Sequence, residues 1–274
     1  HSDARLWNRD ILDRAERGQT DVPRLAEGNV AVQVFTTVTK SPRSQNYDAN
    51  SADAPDNITP LFMGQLRPVR SWFSLRERAL VQAEALTRGA EEAPDRLRLI
   101  RTRTDLHAVL DARADGQQVL GAILGSEGGH PLEGDIANLD VLYNAGFRLM
   151  GLTHFFDNEL GGSLHGEGGT GTGLSDFGRQ VVNGMIERGM VIDLAHARDH
   201  LTLDEAVVTV EWKPTRPSGP LPDLLPILDP VLAKKPVAVL VSPIRPVNPP
   251  RQLVALAERA GVCLLWNSAL VPHA

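Results

Sequence analysis

Three polar side chains follow short apolar runs in the middle of the chain: Glu127, His154 and His196. Glu127 and His196 are residue types that bind divalent metals, and His154 adds a further imidazole. The apolar runs before them are too short for ordinary helices and are predicted to be strands. In a (β/α) barrel, side chains at the strand exits form a site at the carboxyl-terminal face. The spacing therefore predicts one polar site built by these three residues.

The elements around this site alternate between strand and helix. Apolar residues recur at helical spacing from Leu174 to Arg188, and Gly189 is a typical stop signal. A further helix is predicted at 136–144, before the strand that leads to His154. Strand, helix and strand in this order predict an α/β fold of the (β/α)8 TIM-barrel type. Seven strands are predicted, at 1–3, 30–38, 120–127, 148–154, 191–194, 237–242 and 262–266. The chain ends eight residues after the last one, so the barrel is expected to be incomplete at its C-terminus.

Length and composition fit a single enzyme domain. The 274 residues are enough for one barrel over 1–274. The net charge of −6 is mixed along the chain and favours neither nucleic acid nor an anionic membrane as a partner. A single cysteine, Cys263, excludes an internal disulfide, and no apolar run has the length of a membrane-spanning helix.

Two loops and a proline-rich region interrupt the regular pattern. Residues 40–60 form a polar loop, and the glycine-rich residues 161–173 are expected to be a flexible loop over the site rather than a phosphate cradle, since the lysine of a P-loop is missing. Eleven of the 19 prolines fall between Pro214 and Pro250, which disfavours a long helix there. Residues 201–274 are therefore interpreted as divergent and truncated.

The first three residues, His1-Ser2-Asp3, form an H-x-D triplet. In a strand, residues i and i+2 point to the same side, so one imidazole and one carboxylate could bind one ion. Alone, such a triplet is usually a surface feature. Because the chain opens on His1, we expect that an upstream segment has been removed.

Each of these residues also has a purely structural interpretation. Glu127 before two glycines could mark a turn, and His154 could be a core histidine. Asp193 could support the strand end or orient a metal ligand. The remaining histidines lack motif support and are expected in loops or on the surface: His107, His130, His165, His200 and His273.

Five motifs occur in the order and approximate spacing of one family. They are His1-Ser2-Asp3, Ser126-Glu127-Gly128-Gly129-His130, the segment LTHFFDN from Leu152, the segment GLSDFG from Gly173, and VIDLAH from Val191. With them the chain resembles the membrane dipeptidase (renal dipeptidase) family, zinc peptidases with an amidohydrolase-like barrel. The bacterial branch is more similar. The resemblance covers residues 1 to about 200 well and 237–266 loosely.

The resemblance implies a role for each matching residue. His1 and Asp3 would bind one zinc ion, Glu127 would bridge to a second, and His196 would bind that second ion. His154 would contact the substrate and stabilise the oxyanion, so His154 and Glu127 are the expected catalytic residues. Arg251 would bind the substrate carboxylate.

The chain departs from the family pattern in its last third. The family has a Ser-His pair after the sixth strand, and this chain has Ser242-Pro243. Proline cannot bind zinc, so of the two expected zinc sites the second keeps only Glu127 and His196. Arg251 is followed by Gln252 rather than by an asparagine, and the acidic residue of strand eight has no counterpart.

Two functions follow from these observations. The first is a zinc-dependent dipeptidase that hydrolyses dipeptides with a metal-activated water. The second is an impaired, truncated family member that binds metal or peptide without turnover; an unrelated barrel enzyme without metal is the weaker third option. The expected partner is a small dipeptide, with a homodimer as one arrangement. The expected location is a soluble one, in the bacterial periplasm or outside the cell with the signal removed.

Overall fold

The computed structural model describes residues 9–168 and 173–197, and beyond them the backbone of three strands. The chain divides into two compact units, His1–Arg198 and Asp199–Ala274. The first unit contains every side chain considered below. The assignment of 1–274 to one domain stays a prediction.

The first unit is built on a parallel sheet. Its strands are β1 Val32–Thr37, β2 Leu97–Leu99, β3 Leu120–Ser126, β4 Phe147–Gly151 and β5 Val191–Asp193. The order is β1-β3-β4-β5, and β2 also pairs with β3. The predicted strands at 30–38, 120–127, 148–154 and 191–194 are thereby found, each somewhat shorter than predicted. All pairs are parallel, so the carboxyl ends of these strands lie at one edge.

Strand β3 is the centre of this sheet. One of its edges pairs with β1 from Gly121 to Ser126. Its other edge is shared, because β2 pairs with Leu120–Ala122 and β4 pairs from Leu124 onward. Flanked on both edges, β3 is buried at six of its seven positions. This explains its uninterrupted apolar and small residues, which are typical of central parallel strands.

Among the described residues of the first unit, seven helices flank the strands: α1 Val22–Glu27, α2 Ile58–Gly64, α3 Arg70–Phe73, α4 Leu75–Glu92, α5 Arg103–Ala114, α6 Ala137–Asn144 and α7 Asp176–Glu187. Polar caps define several of their starts. Ser74 and Ser175 accept backbone N–H groups at the starts of α4 and α7, and Thr102 forms a capping box with Asp105 at α5. The helices predicted at 136–144 and 174–188 are found at α6 and α7.

The core lies between the sheet and the helices. Leu139 and Leu142 of α6, Val181 and Met185 of α7, and Met150 of β4 are each no more than 1 % exposed. Each fully buried side chain of this size contributes about 1.5–3 kcal/mol relative to its exposed state. The packed core fixes the strand ends and therefore the loops that carry the polar motifs.

The second unit contains a three-stranded parallel sheet in the order β6-β7-β8. Its strands are β6 Val207–Trp212, β7 Ala238–Pro243 and β8 Cys263–Trp266. The strands predicted at 237–242 and 262–266 are found here. Strand β6, which begins with the β-branched residues Val207 to Val210, was not predicted.

Among the described residues, none of the helices is both long and apolar enough to cross a membrane. The predicted strand at 1–3 and the candidate ligands His1 and Asp3 lie outside the described residues, as does Arg251. Pro243 is the last residue of β7 and is paired in register with Trp212.

Candidate metal centre

Glu127, His154 and His196 converge where β3, β4 and β5 end. One ligand atom from each lies within 4.8 Å of the other two. Glu127 Oε1 is 3.5 Å from His154 Nε2 and 3.8 Å from His196 Nε2. The two imidazole rings are nearly perpendicular, with centroids 4.8 Å apart. The structure thus brings together the three residues that the strand-end pattern singled out.

A tight turn after β3 positions Glu127. Gly128 has φ +90°, in the left-handed region, and a Cβ there would lie 2.7 Å from the His130 ring and 3.2 Å from the His154 Cβ. Only glycine meets both requirements, conformation and space. Ser126 Oγ donates to the Gly128 carbonyl at 2.8 Å and closes the turn. The two glycines after Glu127 therefore serve the geometry of the site.

His154 is buried just beyond β4, at 6 % exposure. Its Nδ1 atom has no hydrogen-bond partner among the described residues, and its Nε2 atom faces Glu127. A proton on Nδ1 would be a buried donor without an acceptor, which is costlier than an unpaired lone pair. The tautomer with the proton on Nε2 is therefore favoured, and that hydrogen points into the site.

The backbone of His196 adopts a rare conformation and is held there. Its φ of +64° lies in the left-handed region, which non-glycine residues seldom occupy. Thr153 Oγ1 donates to the His196 carbonyl at 3.0 Å, and the Leu164 N–H donates to the same oxygen at 2.8 Å. Such conformations persist where the surroundings fix them, and they cluster at functional sites.

The charges of the site favour an ionised Glu127. Burial alone would raise its pKa, but hydrogen bonding from His154 and His196 outweighs burial and lowers that pKa far below its usual range. Thr36 Oγ1 of β1 donates to the second carboxylate oxygen at 3.4 Å. Burial raises the pKa of nearby Asp193, and the charge of Glu127 raises it further. The Glu127 carboxylate therefore places a negative charge at the centre of the site at neutral pH.

These residues fit a zinc ion in type and spacing. Zinc accepts imidazole and carboxylate ligands at about 2.0–2.2 Å, which places neighbouring ligand atoms of a tetrahedral site roughly 3.4 Å apart. The separations of 3.5 and 3.8 Å from Glu127 are close to this value. The two histidines differ at the ring nitrogen that does not face Glu127. A metal-bound histidine usually donates the N–H of that second nitrogen to a partner. Buried His154 Nδ1 has none, whereas His196 is 23 % exposed and can use water.

Of the histidines without motif support, His130 differs from expectation, whereas His165 lies in a loop as predicted. His130 was predicted in a loop or on the surface but is 3 % exposed, in a 3-10 turn after β3, with its ring stacked 4.2 Å from Phe156. Burial lowers its pKa to about 3, and the charges of His154 and Lys40 contribute. His165 does lie in a loop, but its ring centroid is 5.4 Å from that of His196. Local sequence carries no signal for either position, since the contacts join distant segments.

Comparison with known proteins agrees with the geometry. The chain matches the membrane dipeptidase family (peptidase family M19) over residues 3–214. The dipeptidase aclJ of Aspergillus oryzae (strain ATCC 42149 / RIB 40) is 27 % identical over 225 residues, which cover 78 % of this chain and 47 % of that protein. The chain thus spans about half of the length of this relative.

Two solved structures share the fold. A metallopeptidase from Rhodobacter sphaeroides, liganded with a phosphinate mimic of the dipeptide L-Ala-D-Ala, aligns with a TM-score of 0.58 and 17 % identity over 97 % of this chain and 83 % of its own. The dipeptidase AC, a metallopeptidase of family M19, aligns with a TM-score of 0.57 and 20 % identity over 86 % and 68 %. They confirm the TIM-barrel type of α/β fold, although the sheet formed by the described strands is not closed. Because the family match covers more than half of its length, this chain belongs to the membrane dipeptidase family, peptidase family M19.

Proposed function

We propose that the chain is a zinc-dependent dipeptidase. The observation that carries this proposal is the convergence of Glu127, His154 and His196 within 4.8 Å at the strand ends. Family membership supports a metal-dependent hydrolase, and a bound zinc ion would polarise the peptide carbonyl and supply a hydroxide at neutral pH. Glu127 and His196 would hold the metal, together with His1 and Asp3, which the family resemblance implies.

Glu127 and His154 would have different roles in the reaction, the first in binding the metal and the second in donating a hydrogen bond. Glu127 is ionised at neutral pH, so its carboxylate is ready to bind cations without losing a proton first. His154 has its favoured hydrogen on Nε2, facing the same space, where it would donate to the oxygen on which negative charge develops. Removing one such donor typically lowers kcat about 10²–10³-fold. Arg251 would bind the carboxylate of the dipeptide, as the resemblance implies.

A zinc-dependent turnover assay tests this proposal. Zinc-loaded protein is expected to hydrolyse L-Ala-L-Ala and related dipeptides, and EDTA treatment should abolish the reaction. Glu127→Gln keeps the size of the side chain but removes its charge, and we expect at least a 100-fold loss of kcat/KM. Glu167→Gln, an exposed carboxylate in the loop after β4, is the matched control and should keep the activity.

The second candidate function is metal or peptide binding without turnover. It is favoured by Pro243, which stands where the family has a zinc-binding histidine. Metal analysis alongside the assay separates the two. Bound zinc with no hydrolysis above the Glu127→Gln background would establish the impaired form. Absence of zinc from the purified, zinc-equilibrated protein would contradict both the dipeptidase and the metal-binding form of the alternative.

A further inference from the structure

Three aromatic rings form a continuous surface beside the candidate metal centre. We call Tyr47, Phe155 and His165 the aromatic wall. Phe155 and His165 are stacked with centroids 4.9 Å apart and an interplanar angle of 19°. Tyr47 meets each of them edge to face, with both centroid separations 5.6 Å. These separations and angles are those that aromatic pairs prefer.

The aromatic wall leads from the metal centre to solvent. The Phe155 centroid lies 4.8 Å from that of His154 and 5.1 Å from that of His196. At the other end Tyr47 is 63 % exposed, and neighbouring Leu164 is 49 % exposed. Large apolar side chains left in contact with water next to a site commonly mark a binding surface.

Hydrogen bonds across two distant loops hold the aromatic wall in place. His165 Nδ1 donates to the Tyr47 carbonyl at 2.8 Å. Asn50 donates to the His165 carbonyl twice, through its backbone N–H at 2.8 Å and its side-chain amide at 3.0 Å. Because these contacts use backbone carbonyls, the loop geometry does not depend on the Tyr47 ring itself.

The loop that carries His165 is organised by Asp157. Its two carboxylate oxygens accept the backbone N–H groups of Ser163 at 2.7 Å and Gly168 at 2.8 Å. A Cβ on Gly166 would lie 2.0 Å from the same carboxylate, so the loop closes around Asp157 and only glycine fits there. The aromatic wall is thus preorganised, which reduces the entropy lost when a ligand binds.

We propose that the aromatic wall recognises an apolar side chain of the substrate, with aromatic side chains preferred. This inference rests on the proposed dipeptidase function, because it assigns the side-chain specificity of that same site. A dipeptide bound at Glu127, His154 and His196 has one side chain within reach of Phe155. Stacking on that ring and on Tyr47 would withdraw apolar surface from water on both partners.

The experiment compares dipeptides that differ only in one side chain. We expect zinc-loaded protein to prefer L-Ala-L-Phe or L-Phe-L-Ala over L-Ala-L-Ala by about tenfold in kcat/KM, the size that apolar pockets usually achieve. Tyr47→Ser and Phe155→Ser should each reduce that ratio at least about threefold. Phe73→Ser, an exposed aromatic of α3 that lies outside the aromatic wall, should leave the ratio unchanged.

A binding measurement keeps this test separate from turnover. Calorimetric titration of the zinc-loaded protein with the same dipeptides should show the same order of affinities, also if hydrolysis is absent. Loss of turnover with this order intact would contradict the proposed function and leave the specificity standing. Equal affinities for L-Ala-L-Ala and both phenylalanine dipeptides, no measurable binding of any of them, or a preference that survives both serine variants would overturn the inference.

Discussion

Two buried polar clusters of the first unit differ in how completely their hydrogen bonds are satisfied. Arg78 of α4 is 1 % exposed, and all five of its N–H donors are used. Among the described residues, the polar contacts of the Glu127 carboxylate are 3.4–3.8 Å long, and one nitrogen of His154 has no partner. A fully paired buried charge belongs to the architecture, whereas incomplete pairing is typical of a site that awaits a ligand.

The Arg78 cluster joins the long loop after β1 to the helices that cover it. Arg78 donates to the carbonyls of Thr39, Ser71 and Trp72, and to the side chains of Asp56 and Thr59. Burial opposes ionisation of Asp56, but its backbone and side-chain hydrogen bonds outweigh burial and hold its pKa below the usual range. Since Tyr47 lies in this loop, the satisfied cluster also supports the aromatic wall.

Removing Arg78 should have the largest effect on stability. Arg78→Met removes the only charged donor that the Asp56 carboxylate has among the described residues and takes a side-chain donor from three carbonyls, and we expect a loss of about 3–5 kcal/mol in the free energy of unfolding. Urea denaturation measures this change. Arg88→Met, an exposed arginine on the same helix, should stay within about 0.5 kcal/mol of the unmodified chain. A loss under about 1 kcal/mol for Arg78→Met would show that the two clusters do not differ as argued.

At the metal centre, the largest change in stability should come from binding zinc. At a free zinc concentration of one hundred times Kd, mass action predicts a gain of about 2.7 kcal/mol in the stability of the unmodified chain. Glu127→Gln should lose most of this gain because the central carboxylate is gone, and Glu167→Gln should keep it. Thermal or urea unfolding with zinc and with EDTA gives the difference. An equal zinc effect in Glu127→Gln would remove Glu127 from the metal site.

The smallest expected effect on stability is that of His130. This residue is buried like Arg78, but within the described part of the chain its hydrogen bonds are incompletely satisfied, as in the metal centre. Burial lowers its pKa to about 3, and its Nε2 atom has no partner among the described residues. In the unfolded chain the His130 imidazole is protonated below about pH 6.5. In the folded chain it is protonated only below about pH 3. Stability should therefore fall as the pH falls, by about 2 kcal/mol between pH 6.5 and pH 4.5 from this residue.

Urea titrations of the metal-free protein between pH 6.5 and pH 4.5 isolate this contribution. His130→Gln should flatten the slope, and His107→Gln on the exposed face of α5 should not. The lower limit avoids the range in which most carboxylates titrate. An unchanged slope in His130→Gln would mean that the buried imidazole can accept a proton without loss of stability.

Much of the fold could be predicted because its signals are local. The apolar runs before Glu127, His154 and His196 are found as β3, β4 and β5, and the periodic segments between them as α6 and α7. Two strands were missed. Leu97–Leu99 is three residues long and polar at its centre, so only its pairing with β3 makes it a strand. Val207–Trp212 has four β-branched residues in succession, a composition typical of strands, but it directly precedes the proline-rich region, whose composition disfavours regular structure.

Some residues of the candidate site could be predicted from the sequence, and others are recognised only from tertiary contacts. Family resemblance assigns roles to His1, Asp3 and Arg251, and these stay predictions because the residues lie outside the described part of the chain. Thr36 could have been found only through the register that places β1 beside β3. His165 and Tyr47 are 118 positions apart, and no local pattern reports a contact over that separation.

The sequence by itself determined which groups stand at the ends of the central strands. Parallel strands bring their carboxyl ends to one edge, so a carboxylate after β3 and imidazoles after β4 and β5 must become neighbours. Only the tertiary structure decided their states: the Nδ1 of His154, which has no partner in the described part of the chain, the left-handed backbone of His196 and the aromatic wall. These depend on burial and on contacts between distant segments, because desolvation and hydrogen-bond satisfaction are properties of the packed chain.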